Sequence, residues 1–376
     1  HLRTPFQETC EAIFMTAGYA YEGPEEAEER FKGAPGYTYT RYANPTVSVF
    51  EERMALLEGA PVGRATASGM AAVTSSLLCC LKAGDHVVVA RAVFGAIRYV
   101  IEDILARFGI TSTVVDGRDP AQWRAAIRPQ TKVFFFETPS NPTLEIVDIE
   151  KVSAVAHKAG ISVIVDNAFA SPALQRPMEF GADVVVHSST KYIDGQGRGL
   201  GGIILCKEDY LKDHLQLFLR NTGPSISPFN AWLHVKSLET LDIRMREHCR
   251  NATEVADFLG AHNKVNRVLY PFRKDHPQQK LAKKQMLGGG GVVTFEIAGG
   301  KKEAFKLAKA LKLIDISNNL GDTKSLLTHP ATTTHQRLTP EARLAAGVTD
   351  GMLRISVGLE DTQDLCDDLA QALAKI

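Results

Sequence analysis

The sequence predicts an α/β protein with a mainly parallel sheet covered by helices, followed by a smaller α+β domain. Three observations carry this. Apolar strand-like runs alternate with helical patterns through the middle of the chain. The runs HVVVA, KVFFF, ISVIV, DVVVH and GIILC are continuous, not alternating, as expected of strands buried on both faces. Past Pro228 the texture changes to one long helical stretch and then to scattered strands.

Residues 1–43 read as an irregular arm. It carries one surface helix, Pro24 to Lys32, broken by Gly33-Ala34-Pro35-Gly36. A helical pattern runs from Thr46 to Leu57 and stops at Gly59. The alternation then begins: helix Ala71 to Leu81, strand His86 to Ala90, helix Arg98 to Phe108, strand Ser112 to Val115 and strand Lys132 to Phe136. It continues with helix Ile149 to Ala159 and strands Ile161 to Val165, Asp183 to His187 and Gly202 to Cys206. One helix is predicted from Ala231 to about Leu259, then strand Val292 to Ile297, helix Lys302 to Lys309 and strand Leu353 to Val357. Gly288 to Gly291 reads as a turn into a strand. The division that follows is an arm (1–43), a large domain (44–230) and a C-terminal domain (231–376).

With 376 residues, 44% of them hydrophobic, the chain can bury one large or two medium cores. Lys plus Arg is 43 and Asp plus Glu is 43, so nothing calls for nucleic acid or an anionic membrane as partner. No uncharged run approaches a transmembrane span. Six scattered cysteines without a C-x-x-C pair point to free thiols, a reducing compartment and hence the cytoplasm. The first residue is His1, not Met, which leaves an upstream targeting segment open; the visible start does not look like one.

Three pieces of sequence point jointly to chemistry. Ser188-Ser189-Thr190-Lys191 follows the apolar run DVVVH. A lysine leaving a buried strand end can form a Schiff base with an aldehyde once desolvation frees its amine of a proton. The neighbouring hydroxyls can bond a phosphate. Asp166 ends the run ISVIV, where open α/β sheets bind ligands. A carboxylate there can pair with the pyridinium nitrogen of pyridoxal 5'-phosphate (PLP) and keep the ring an electron sink. Ala67-Ser68-Gly69-Met70-Ala71 opens a helix whose first amides and dipole suit a phosphate.

These residues resemble the Cys/Met-metabolism family of PLP enzymes over essentially the whole chain. Tyr39 to Thr46 is similar to the family's Y-x-R-x-x-N-P-T, and Glu137 to Pro142 to its E-x-P-x-N-P. Val165 to Phe169 is similar to V-D-N-x-F, Ser188 to Tyr192 to S-x-T-K-Y, and Arg354 to Glu360 to R-x-S-V-G-L-E. The resemblance implies the fold type I, aspartate-aminotransferase-like architecture. It implies Lys191 as the Schiff-base lysine and Asp166 as the pyridinium partner, with Gly69, Met70, Ser188 and Thr190 on the phosphate. Tyr39 and Arg41 would reach the phosphate of a neighbouring subunit, in a homo-oligomer, a tetramer built of dimers with shared active sites. Arg354 would grip the substrate α-carboxylate, with Asn141 beside it. The family's ring-stacking tyrosine is Phe94 here, which keeps stacking but not a phenol proton.

Within the family, Ala96 stands where methionine γ-lyases carry cysteine. The stretch Asn318 to Leu326 lacks both glutamates that enzymes handling cystathionine place there. With Asp194 to Arg198 and His329 to His335, the resemblance implies methionine biosynthesis: γ-replacement of succinate in O-succinylhomoserine by sulfide. O-acetylhomoserine sulfhydrylase and cystathionine γ-synthase are the alternatives, and a non-catalytic PLP-fold protein the more distant one. Asn319, Arg198 and Lys324 are expected in the substrate pocket, with a cation, Arg198 or Lys324, meeting the distal succinyl carboxylate.

Other signals are set aside. Gly197 to Gly202 is a G-x-G-x-x-G, but it enters a strand and does not open a helix, so no dinucleotide is expected. His329 and His335 lack further ligands at metal spacing, and no metal is expected. Arg244, Arg246, His248 and Arg250 read as a solvated or interfacial helix face.

Overall fold

The structure, a computed structural model, describes residues 3–376. Residues 1 and 2, the start of the expected arm, lie outside the described residues.

The continuous apolar runs become the interior of one seven-stranded sheet. Its strands are β1 (Val62–Thr66), β2 (His86–Ala90), β3 (Thr111–Val115), β4 (Thr131–Glu137), β5 (Ser162–Asp166), β6 (Val184–His187) and β7 (Gly202–Cys206). Their spatial order is β1-β7-β6-β5-β4-β2-β3. β2 to β6 pair in parallel, whereas β7 runs antiparallel to both β6 and β1. Every residue of β2, β6 and β7 is buried, while the edge strands β1 and β3 keep exposed or half-buried positions. That contrast explains why VGRAT, with Arg64 at its centre, gives no strand signal in the sequence.

A second sheet is built from β8 (Val265–Leu269), β9 (Val292–Ile297), β10 (Asp315–Ile316), β11 (Leu326–Thr328) and β12 (Met352–Ser356), in the order β10-β11-β12-β9-β8. It is mainly antiparallel, and the helices Gly300–Ala310 and Thr362–Leu373 belong to the same part of the chain. Asp361 caps the last of these by accepting the Gln363 and Asp364 amides.

Three expectations are corrected. The single helix from Ala231 is two helices, Pro228–Leu238 and Leu241–Ala261. The break falls at Glu239-Thr240, where the Ser237 carbonyl accepts both the Thr240 amide at 3.2 Å and the Arg244 guanidinium at 3.0 Å. Arg244 and His248 are buried, so only Arg246 and Arg250 form the expected solvated face, paired with Asp242, Glu247 and Glu254. The helix expected over Arg98 to Phe108 begins at Gly95 and widens into a π-turn at Val100–Ile104.

Two hydrophobic cores share the helix Leu241–Ala261. Leu241 and Met245 pack with the large sheet, together with Ala231, Val235 and Leu238, while Val255, Ala256 and Leu259 pack with the second sheet. A boundary drawn at 231 therefore falls ahead of residues that join the first core. The arm is tied to its own chain: the Trp232 indole donates to the Glu11 carbonyl at 2.8 Å, and the Phe14 amide to Thr46 Oγ1 at 2.9 Å. All six cysteines are free, and no described helix is long and apolar enough to cross a membrane.

Phe135 lies wholly buried in β4, between β2 and β5. Phe135→Ala is expected to lower stability by about 3–5 kcal/mol through lost burial and the cavity left behind. Denaturant unfolding monitored by circular dichroism checks this; a loss below about 1 kcal/mol contradicts it.

Candidate active site

Parallel strands end at one edge of their sheet, and the chain places its chemistry there. The carboxyl ends of β4, β5 and β6 meet a cavity of about 850 Å³ lined by Glu137, Asp166, Ser188, Thr190 and Lys191.

Lys191 sits in the turn that leaves β6, its amide donating to the Ser188 carbonyl at 3.1 Å. The side chain is half-buried, and Nζ donates to Asn319 Oδ1 at 2.6 Å. Burial, reinforced by the Arg354 charge and opposed by Asp166, lowers the pKa of the amine to about 8. This is the direction needed for a lysine that must shed a proton to act as nucleophile or base.

Asp166 is the last residue of β5 and is buried. Burial pushes its carboxyl up to about 6, against the Ala168 amide, which donates to it at 3.0 Å, and the nearby His187 and Lys191. Its register partner on β4 is Glu137, 2% exposed. Burial and the Asp166 charge hold the Glu137 carboxyl far above the usual range. Two adjacent buried carboxyls cannot both ionise at low cost, and a cation placed beside Asp166 would favour its charged form. Glu137 Oε2 also accepts the Phe94 amide at 2.7 Å, which fixes Phe94 in the cavity wall.

The helix Gly69–Leu78 points its first turn at the lysine loop. Ser68 Oγ caps it by accepting the Ala71 amide at 3.1 Å; Gly69 and Met70 belong to the turn whose amides have no acceptor within the helix. A Cβ on Gly69 would lie 2.5 Å from Ser188 Cβ, so only glycine lets helix and loop close to this distance. Gly69, Met70, Ser188 and Thr190 all line the cavity, an amide-and-hydroxyl cradle that suits a phosphate. The Thr190 hydroxyl is held by the Gly201 carbonyl at 3.3 Å and the Gly201 amide at 3.2 Å.

Arg354, on β12, is 1% exposed. It donates to Asn141 Oδ1 at 3.1 Å and to the carbonyls of Asn318 and Asn319 at 2.9 and 3.2 Å. Its Nε is buried with no hydrogen-bond partner among the described residues. Burial lowers its pKa to about 10, against Tyr192 and Glu137. A buried guanidinium bonded only to neutral acceptors is complementary to an incoming carboxylate.

Four expected site residues lie elsewhere in this chain. Arg198 and Lys324 are absent from the cavity wall. Arg198 donates to Ser237 Oγ at 2.5 Å and pairs with Asp194 at 3.3 Å, while Lys324 pairs with Asp322 at 2.9 Å. Each cation is neutralised by a carboxylate a few residues away in its own loop. Tyr39 is 42% exposed and the Arg41 guanidinium lies over the Tyr39 and Tyr42 rings, outside this cavity.

The cavity wall also contains Glu137, Arg98 and His335, which the sequence reading left without roles. Glu137 opens the E-x-P-x-N-P run, so its motif was visible. Arg98 carries no local signal, standing in an ordinary helical pattern. His335 is driven down to about 4 by burial and by the charges of Arg354 and Arg98, and remains neutral. His329 bonds Thr332 Oγ1 and the Asp350 carbonyl, at 2.9 and 2.8 Å. Gly197 to Gly202 leads into β7 and opens no helix.

The residues fit PLP in kind: an amine of lowered pKa for its aldehyde, a buried acid for its ring nitrogen and a cradle for its phosphate. The model of the Cys/Met metabolism PLP-dependent enzyme family matches residues 2–374. An O-succinylhomoserine sulfhydrylase of Mycobacterium tuberculosis is 52% identical over 99% of this chain and 93% of its own length. One of Pseudomonas aeruginosa is 47% identical over 100% and 93%. A solved Campylobacter jejuni protein, assigned as an O-acetylhomoserine (thiol)-lyase and containing pyridoxyl-lysine monophosphate, superimposes with a TM-score of 0.95. It is 34% identical and covers 100% of this chain and 97% of its own. The chain thus belongs to the Cys/Met metabolism family of PLP-dependent enzymes and shares their α/β architecture.

Proposed function

We propose that this enzyme converts O-succinylhomoserine and sulfide to homocysteine and succinate. The Cγ–O bond of the ester breaks, succinate leaves with its electron pair, and hydrosulfide sulfur bonds to Cγ. The observation that carries the reading is the presence of two guanidinium groups on one cavity wall. Arg354 lies deep in it, and Arg98 lines the same wall; its Nη2 pairs with Glu102 at 2.5 Å, while its Nε is buried without a hydrogen-bond partner among the described residues. A homoserine ester of a dicarboxylic acid offers two carboxylates to such a wall, whereas an acetyl ester offers one. The sulfhydrylase relatives support the same assignment.

In this reading Arg354 and Asn141 hold the α-carboxylate, and Asn319 holds the Lys191 amine in place between proton transfers. Lys191 would supply the amine that holds the cofactor aldehyde, and its Nζ, when free, takes the proton from Cα and returns protons during the replacement. PLP supplies the electron sink that lowers the cost of negative charge at Cα. Asp166 would pair with its ring nitrogen, Phe94 would pack against its ring, and Gly69, Met70, Ser188 and Thr190 would hold its phosphate. Arg98 receives the distal succinyl carboxylate in place of Arg198 and Lys324. Tyr39 and Arg41, exposed and absent from the wall of their own cavity, would reach the phosphate in a second copy, within a tetramer of dimers. The free thiols accord with the cytoplasm.

Product analysis tests the reaction. O-succinylhomoserine with sulfide is expected to give homocysteine and succinate in equal amounts, faster than O-acetylhomoserine with sulfide or either ester with cysteine. Sulfide-independent breakdown of the ester, or a preference for the acetyl ester, overturns the reading. Removal of the distal cation is the second check. Arg98→Ala is expected to lower kcat/KM for the succinyl ester about tenfold more than for the acetyl ester, while Lys324→Ala leaves the ratio unchanged. An unchanged ratio in Arg98→Ala contradicts the role of Arg98.

A further inference from the structure

The direction of the Lys191 side chain is set by a tight turn. The Asp194 amide donates to the Ser189 carbonyl at 2.8 Å, and the Gly195 amide to the Lys191 carbonyl at 2.8 Å. Behind this turn lies Arg244, from the helix Leu241–Ala261, only 6% exposed. Its Nη1 donates to the Tyr192 carbonyl at 2.7 Å. Nη2 donates to the Ser237 carbonyl at 3.0 Å and, at a longer 3.5 Å, to the Ile193 carbonyl; Nε reaches Thr240 Oγ1 at 3.2 Å.

All of these acceptors are neutral. A buried guanidinium in that state is hard to explain as a stabilising ion pair. Its charged neighbours, Asp194 and Arg198, act on it in opposite senses, and Asp194 is itself engaged by the Arg198 amide at 2.8 Å and the Arg198 guanidinium. What Arg244 does hold is backbone, the two carbonyls that immediately follow Lys191. Gly195 is matched to it: the residue has φ +71°, and a Cβ there would lie 2.1 Å from Arg244 Nη1.

We propose that Arg244 is a positioning residue for Lys191, clamping the carbonyls of Tyr192 and Ile193 so that the turn delivers the amine into the cavity. The inference rests on the reading of Lys191 as the cofactor lysine. Arg244 is absent from the cavity wall and acts only through the turn.

The test compares Arg244→Gln and Arg244→Lys with the wild type, using two readouts. In the apoprotein, the pH midpoint for carbamylation of Lys191 by cyanate, mapped by peptide mass, reports the surroundings of the amine. The groups facing it are Asp166, Arg354 and the neutral Asn319. In the holoenzyme, kcat and KM are measured. Arg244→Gln is expected to raise the midpoint from near 8 toward that of an ordinary lysine, as the amine leaves Asn319 for water. It is also expected to lower kcat at least about tenfold with KM within about threefold, and Arg244→Lys to recover part of both. A folded Arg244→Gln with wild-type midpoint and kcat overturns the proposal, as does a fall in kcat with the midpoint unmoved. Should Arg244→Gln not fold, Arg244→Lys decides: a raised midpoint supports the clamp and a wild-type midpoint refutes it. The underlying reading fails separately, if Lys191→Ala retains the visible absorbance of the lysine-bound cofactor.

Discussion

Withdrawal of one amine from water, beside a buried carboxyl at the end of the neighbouring strand, is the constraint on which the site depends. An ammonium in bulk water holds its proton far above neutral pH; partial burial of Lys191 removes much of that preference. The same burial acts on Asp166 in the opposite sense, favouring its neutral form. Its register partner Glu137 is pushed the same way, so the pair resists double ionisation and a cationic ring nitrogen beside Asp166 would offset that cost. The parallel sheet brings these groups together because β4, β5 and β6 end at one edge.

Charge in the rest of the site follows the same economy. Arg354 faces the cavity without a carboxylate at hydrogen-bond distance, whereas Arg98 in the same wall pairs with Glu102 through Nη2 and keeps its Nε without a partner among the described residues. Cations in the surrounding loops are matched locally. Arg198 closes on Asp194, and Lys324 on Asp322. Arg244 turns its donors on backbone carbonyls and thereby links the long helix between the two cores to the lysine turn. Fold stability and active-site geometry are joined at that contact.

Much of this was legible in the sequence, for identifiable reasons. The interior strands were, since burial on both faces demands the continuous runs HVVVA, DVVVH and GIILC. The edge strand VGRAT and the half-exposed VNRVL lack that demand and went unseen. The helix break at Glu239-Thr240 contains neither Gly nor Pro, and arises from tertiary competition for the Ser237 carbonyl. Lys191, Asp166 and the Gly69 turn stand at strand ends and a helix start, positions that local pattern specifies. Arg198 and Lys324 do not line the cavity, because closeness in sequence to the lysine motif does not give closeness to the cavity. Each pairs with a carboxylate within four residues, as Arg98 does with Glu102, so a local partner does not separate them; only their place relative to the cavity wall does. Arg98 reaches the wall through the helix Gly95–Tyr99, which no short-range feature marks as functional.

The most direct measurement is to reduce the purified holoenzyme with borohydride, digest it and locate the lysine that carries the pyridoxyl group by peptide mass. The account predicts the added mass on the peptide containing Lys191, and none on that peptide in Lys191→Ala. A pyridoxyl group found on another lysine in the wild-type protein would contradict it.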